Sequence, residues 1–353
     1  MTVHSNLIHP LFFSPILLIL LNDKLLIMKC KYCGAEIDPN SRSCKYCGNS
    51  IFANNSQYAA GNRRSPLLII LLVIIILFVA VAGVFAYIVY FDTSPVELMQ
   101  LSSSGSGDIL ANSELAGNMP NSNITSQVLQ AAKSGVPVYK IGDGKGPVTV
   151  IASGVHGDQL VPPVAAMKII NYLDGRKING TVYVIPFTSP KALEQNTKLT
   201  NGVNLNTVAD ESGTLSNQVV DFAIKNNASA VGDFHETGVG KDPGKTTIMC
   251  SQIPTYGSFE LANAMSQLSL DTTLTYYVAG IAYDGAVEDE LNLKGTPAVT
   301  PLVLVSSHGR VQQSAVEESY TQMLALLIAN GNLNPNDPYM KLANADLDGF
   351  DFS

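Results

Sequence analysis

Residues 67–90 form a run of 24 residues without a charged side chain. As a helix rising about 1.5 Å per residue it would be about 36 Å long, enough to cross a hydrocarbon core of about 30 Å. The alternative for such a run is a helix buried in a large soluble core. The spanning reading splits the chain into a short N-terminal part and a long C-terminal part on opposite sides of a membrane. Arg63 and Arg64 precede the run, Asp92 and Glu97 follow it, and Tyr87 and Tyr90 suit its far interface. The positive-inside rule then puts the N-terminus in the cytoplasm and the C-terminal domain outside the cell membrane. Of 353 residues, 46% are apolar and only 14% charged, as an embedded segment requires, and the net charge of −8 argues against nucleic acid, which selects for a basic face.

The N-terminal part holds four of the five cysteines. Cys30-Lys31-Tyr32-Cys33-Gly34 and Cys44-Lys45-Tyr46-Cys47-Gly48 are near-repeats. Two such knuckles place four thiolates around one zinc ion, and the glycine after each allows the tight turn that wraps it. Redox dithiols are the alternative. A quartet fills the coordination sphere, so Cys30, Cys33, Cys44 and Cys47 predict a structural zinc over residues 28–51, in a module that folds only with its metal. Reduced cysteines fit the cytosol. The module resembles the short zinc ribbons at the N-termini of many prokaryotic membrane proteins, and it could dock a cytosolic protein partner. Residues 1–27 have an apolar core too short for a span and lack a signal-peptide cleavage site, so Met28 is expected to be the true start.

Beyond the span, residues 52–66 behind it and 91–126 ahead of it are rich in Asn, Ser and Gly, which predicts a linker and a flexible stalk. From 127 to 335 the pattern changes. Strand-length apolar runs (148–152, 181–186, 228–234, 246–250, 298–305) alternate with helical periodicity (161–173, 215–224, 259–268, 312–328). Such alternation predicts an α/β domain with a mostly parallel sheet covered on both faces. Its functional residues should gather at the carboxyl ends of strands. His156, His235 and His308 all fall at such expected ends. Residues 336–353 read as an acidic tail.

The stretch from Gly142 to Gln159, ending Ser153-Gly154-Val155-His156-Gly157-Asp158-Gln159, resembles the first zinc motif of the succinylglutamate desuccinylase/aspartoacylase group, within the zinc carboxypeptidase superfamily. Asn201-Gly202-Val203-Asn204-Leu205-Asn206 resembles its substrate-binding loop, Asp233-Phe234-His235-Glu236 its second zinc motif, and the stretch from Gly295 to Thr300 the strand that carries its general base. The resemblance implies a zinc-dependent amide hydrolase, deacylase- or carboxypeptidase-like, acting on a peptide or envelope substrate. Zinc would sit on His156 and His235, with Asn204 and Asn206 binding substrate. Three positions depart from the pattern. The carboxylate ligand is Gln159, the substrate-clamping arginine is Thr207, and the catalytic glutamate is Leu302. Asp158 is an alternative ligand. Glu236, Glu288 and Glu290 are candidate replacements for the base, and His308 and Arg310 could enter the same cleft. The departures equally suit a catalytically inactive member that binds a ligand as a sensor.

Overall fold

The two cysteine knuckles fold alike. Gly34 and Gly48 take φ of 75° and 73° and donate their N–H groups to Cys30 and Cys44 carbonyls, each at 2.8 Å. A left-handed residue is needed there, which is why glycine follows each pair. Strands β1 (Met28–Lys29) and β2 (Glu36–Ile37) pair antiparallel, and Cys30, Ile37 and Cys44 form a small buried cluster. This computed structural model describes residues 28–51, 66–91, 93–269 and 272–335. The readings made for 1–27, for most of the linker and for the acidic tail lie outside the described residues.

Helix α1 (Pro66–Phe91) covers the uncharged run. Its segment Pro66–Tyr87 has a mean hydropathy of 3.6 and none of it is buried. A helix this apolar and this bare is long enough to cross a membrane.

The α/β domain starts earlier than its sequence suggests. Residues 91–126, expected to be a stalk, contain edge strand β3 (Val96–Ser102), helix α2 (Ser113–Ala116) and the start of α3 (Asn123–Ala132). Ile109 and Leu115 are fully buried, and Asn112 caps α2 while donating to the Leu193 carbonyl at 2.8 Å. The Ser- and Asn-rich composition reflects helix caps (Asn112, Ser122) rather than a tether. The chain continues through β4 (Val136–Gly142), β5 (Val148–Ser153), α4 (Val161–Leu173), β6 (Thr181–Ile185), α5 (Pro190–Gln195), α6 (Leu215–Lys225) and β7 (Ala230–Gly238). It ends with β8 (Thr247–Ile253), α7 (Gly257–Leu268), β9 (Thr273–Val278), α8 (Val287–Leu293), β10 (Ala298–Val305) and α9 (Gln313–Ala329).

Strands β3 to β10 form one eight-stranded sheet in the order β3-β4-β6-β5-β7-β10-β8-β9. The sheet is mixed, which corrects the mostly parallel expectation. Its centre, β6-β5-β7-β10, is parallel, whereas β3, β4 and the β8–β9 pair join it through antiparallel contacts. Four of the five apolar runs became the parallel centre, whose strands are buried on both faces; the fifth, 246–250, became β8, which pairs antiparallel with β10. One face packs on α4 and α9, with Phe234, Met167 and Leu326 in its core. The other packs on α6 and α8, with Val231, Val220 and Val287.

Candidate functional site

β5 ends at Ser153, and the chain turns through Gly154, with φ of 70°, toward His156. A Cβ on Gly157 would lie 2.1 Å from the Ala192 carbonyl carbon, so only glycine lets α5 close against this loop. His156 is thereby buried. Its Nε2 donates to Asn204 Oδ1 at 2.8 Å, and the same oxygen accepts the Asn206 N–H at 3.2 Å. That second bond identifies the Asn204 atom as oxygen and fixes the imidazole proton on Nε2. Nδ1 then carries a lone pair; it is buried and has no hydrogen-bond partner among the described residues. Burial, reinforced by His235, pushes His156 down to about 3, so its ring is neutral.

His235 lies inside β7 rather than at its end, because β7 stays paired with β10 as far as Gly238. Asp233, two residues earlier, projects from the same face of the strand. His235 Nε2 donates to Asp233 Oδ2 at 2.9 Å, and its Nδ1 stands 2.9 Å from Gln159 Oε1. Gln159 is docked on the backbone of Glu236: Oε1 accepts the Glu236 N–H at 3.0 Å and Nε2 donates to the Glu236 carbonyl at 3.4 Å. Both ring nitrogens of His235 thus face acceptors. Burial opposes a positive charge on the ring, but the neighbouring Asp233 carboxylate outweighs it and raises the histidine above its ordinary range. The two imidazole centroids are 5.3 Å apart, edge to face.

Glu236 points to the opposite face. Its Oε1 accepts the Val161 N–H at 2.8 Å, and its Oε2 accepts from His308 Nδ1 at 2.8 Å. It closes the N-terminus of α4, where Leu160 offers no side-chain cap. Burial raises the Glu236 carboxyl, and the hydrogen bond to Glu236 raises His308. Both residues are thus committed to a helix cap instead of the histidine pair.

Glu288 is the acidic residue that comes to the histidines from elsewhere. It is buried on α8, accepts from Tyr277 OH at 3.2 Å, and lies within the fields of Asp233 and His235. Burial first, then repulsion from Asp233, raises it to about 7. An acidic run on a short helix ordinarily marks a solvated face, but α8 buries its first turn. Glu290 instead pairs with Lys294 and gathers with Asp284 and Asp289 within 4.8 Å. Asp158 acts electrostatically on Glu236 and His308, and its carbonyl accepts from Gly309. Arg310 is exposed after β10, Thr207 is exposed, and Leu302 sits buried opposite His235 in the β7–β10 ladder. Asn204, expected to touch substrate, serves His156, while Asn206 Oδ1 is a buried acceptor without a partner among the described residues. Two members of the site went unassigned in the sequence. Asp233 was discoverable from its i, i+2 spacing to His235. Tyr277 carried no signal, because β9 has no apolar run to announce it.

Zinc bound tetrahedrally to thiolate has bonds of about 2.3 Å, which puts neighbouring sulfurs about 3.8 Å apart. Cys30 and Cys47 Sγ atoms lie 3.8 Å apart and Cys33 and Cys44 Sγ atoms 3.6 Å apart, all four unbridged and mutually within 4.8 Å. The quartet fits the ion closely. In the α/β domain, bonds of about 2.0–2.1 Å to nitrogen and oxygen would put neighbouring ligands about 3.3 Å apart. The 2.9 Å between His235 Nδ1 and Gln159 Oε1 is near that edge. Each histidine is anchored through Nε2, and the orphaned His156 Nδ1 is the unsatisfied donor atom such a site requires. His156 Nδ1, His235 Nδ1 and Gln159 Oε1 are the atoms that would hold a divalent ion there, once the His235 Nδ1 proton is given up.

No protein-family model and no curated protein matches the chain. Solved structures do. An aspartoacylase family protein from Mesorhizobium loti is similar at 20% identity and a TM-score of 0.46, over 57% of this chain and 63% of that one. A succinylglutamate desuccinylase from Silicibacter is similar at 17% identity and a TM-score of 0.46, over 58% and 64%. A metallo-carboxypeptidase from Burkholderia cenocepacia is similar at 12% identity and a TM-score of 0.46, over 66% and 64%. The match thus spans less than two thirds of the length of each.

Proposed function

We propose that the protein is a membrane-anchored, zinc-dependent amide hydrolase whose α/β domain acts outside the membrane on a peptide or envelope component. The observation that carries this reading is the orientation of the histidines. Asn204 and Asp233 hold both rings through Nε2; His156 Nδ1 is then unpartnered and His235 Nδ1 meets Gln159 Oε1, a contact that a shared ion would replace. Carboxylate–histidine support of this kind typically raises ligand basicity and fixes the tautomer. Bound there, zinc would polarise a substrate carbonyl and acidify a water molecule.

The chain's own groups supply the rest. His235 must release its Nδ1 proton when the site loads, and Asp233 keeps the Nε2 proton in place. Glu288, raised to about 7, changes protonation near neutrality and is the group we assign to carry the proton. It stands in for the base that Leu302 cannot be. With Thr207 at the clamp position, recognition does not rest on a free substrate carboxylate, so simple N-acyl amino acids should turn over weakly.

The test is metal content of the full chain by elemental mass spectrometry. Two zinc ions per chain are expected, falling to one in His156→Ala or His235→Ala. A single zinc in the wild type, unchanged by either substitution, would refute the second site. A ligand-binding role without turnover is the second reading, favoured by Leu302 opposite His235 and by the burial of both histidines. Loaded zinc with no hydrolysis across peptide and acyl-amide panels would select it.

A further inference from the structure

Each knuckle of the ribbon carries the same pair between its cysteines, and the fold presents both pairs outward. Tyr32 is 56% exposed and Tyr46 65% exposed. Lys31 Nζ stands over the Tyr32 ring at 4.9 Å, and Lys45 Nζ over the Tyr46 ring at 5.0 Å. The knuckle turns do not require tyrosine, because the zinc geometry is set by the cysteines and the following glycines. Two exposed aromatics, each with a cation on its face, need another explanation.

Charge is also unevenly placed. Residues 28–66 hold six cations (Lys29, Lys31, Arg42, Lys45, Arg63, Arg64) against two anions (Glu36, Asp38), a net +4 from these side chains that stays at +2 with four thiolates on one zinc ion, in a chain of net −8. The ribbon cannot stray far from α1. Fourteen residues separate Ile51 from Pro66, and a chain of that length spans at most about 50 Å fully extended. A weak affinity for whatever surface surrounds the start of α1 is therefore enough, since the encounter is intramolecular.

We propose that the ribbon docks on an anionic phospholipid surface, with Tyr32 and Tyr46 at the headgroup level and Lys31 and Lys45 on lipid phosphates. Tyrosine is a residue of membrane interfaces, and basic side chains beside a span are drawn to anionic lipid. The proposal rests on α1 crossing the membrane. The ribbon would then lie against the membrane face near the helix start, instead of standing free as a handle for soluble proteins.

The chain contains no tryptophan, so one introduced indole reports alone. Tyr32→Trp and Tyr46→Trp would be placed separately in the full chain and reconstituted in nanodiscs of phosphatidylcholine with brominated acyl chains, with and without phosphatidylserine. A third variant, Phe78→Trp, reports on the middle of α1. The expected result is a blue shift and bromine quenching at positions 32 and 46 that strengthen with phosphatidylserine and fade with salt, as the Debye length falls from about 10 Å at 0.1 M to about 3 Å at 1 M. Adding Lys31→Glu and Lys45→Glu should return the emission to its solvent-exposed position with zinc content unchanged. Emission at 32 and 46 indifferent to lipid charge, or a shift seen only with soluble protein added, overturns the docking. If Phe78→Trp is quenched in that case, the spanning reading survives alone; if it is not, both fail.

Discussion

The cysteine quartet and the histidine pair, which we propose as a second metal site, are of opposite construction. The quartet comes from residues 30–47, is anionic, and packs against Ile37 and Ile51 among the described residues. The histidine site draws ligands from two segments 76 residues apart, is neutral, and sits in the core of an eight-stranded sheet. In the first the metal makes the fold; in the second the fold makes the metal site. Removing metal should therefore unfold one region and leave the other standing. Cys44→Ser, or a strong chelator, should abolish the ribbon's structure, since structural zinc contributes on the order of 10–16 kcal/mol to such modules. The melting of the α/β domain should hardly move. Loss of amide protection confined to residues 28–51 in hydrogen exchange is the expected signature, and cooperative loss across both regions would break the contrast.

The reverse experiment acts on the fold through the site. His235→Ala leaves the Asp233 carboxylate buried, with Oδ1 already unpartnered and Glu288 nearby. Removing one member of a buried ion pair costs about 3–5 kcal/mol. Denaturant unfolding of the α/β domain should show a loss of that size, with ribbon zinc retained. A loss below about 1 kcal/mol would mean that Asp233 is not held as a charge.

Glu288 adds a pH dependence that the ribbon does not share. Its folded pKa, about 7, lies above the ordinary carboxyl value of 4.5. The folded state therefore binds more protons than the unfolded one between those values. The Glu288 contribution to stability is greatest below about pH 4.5 and falls as pH rises to about 7, by about 3 kcal/mol in all. Glu288→Gln should flatten that slope in unfolding curves of chelated protein. An unchanged slope would assign the titration to another group.

The two centres also differ in how they could be read. The cysteines announce their zinc because ligand spacing is local. The histidines were visible from their motifs, and the central strands β5, β6, β7 and β10 from unbroken apolar runs. What stayed hidden was what depends on pairing. β3 is a half-exposed edge strand in a Ser-rich neighbourhood, so it resembled a stalk. β9 is an edge with mixed exposure, and without it Tyr277 has no place. Glu236 and Glu288 were equal candidates in sequence, and only the face of β7 that each meets separates a helix cap from a member of the site.

The remaining asymmetry is ligand charge, and one substitution tests it. Gln159→Glu would give the histidine site the carboxylate it lacks. An added charge about 4 Å from an ion gains about 4 kcal/mol per unit charge at an effective dielectric of 20. Against that, Gln159 Nε2 donates to the Glu236 carbonyl, and a carboxylate oxygen there would face that carbonyl unpaired, a cost of about 1–3 kcal/mol. The net expectation is tighter zinc by at least tenfold, about 1.4 kcal/mol or more, read by competition against a chromogenic chelator with the ribbon's zinc as internal reference. Unchanged or weaker binding would mean that Gln159 serves as a backbone bracket for Glu236 and never meets the ion.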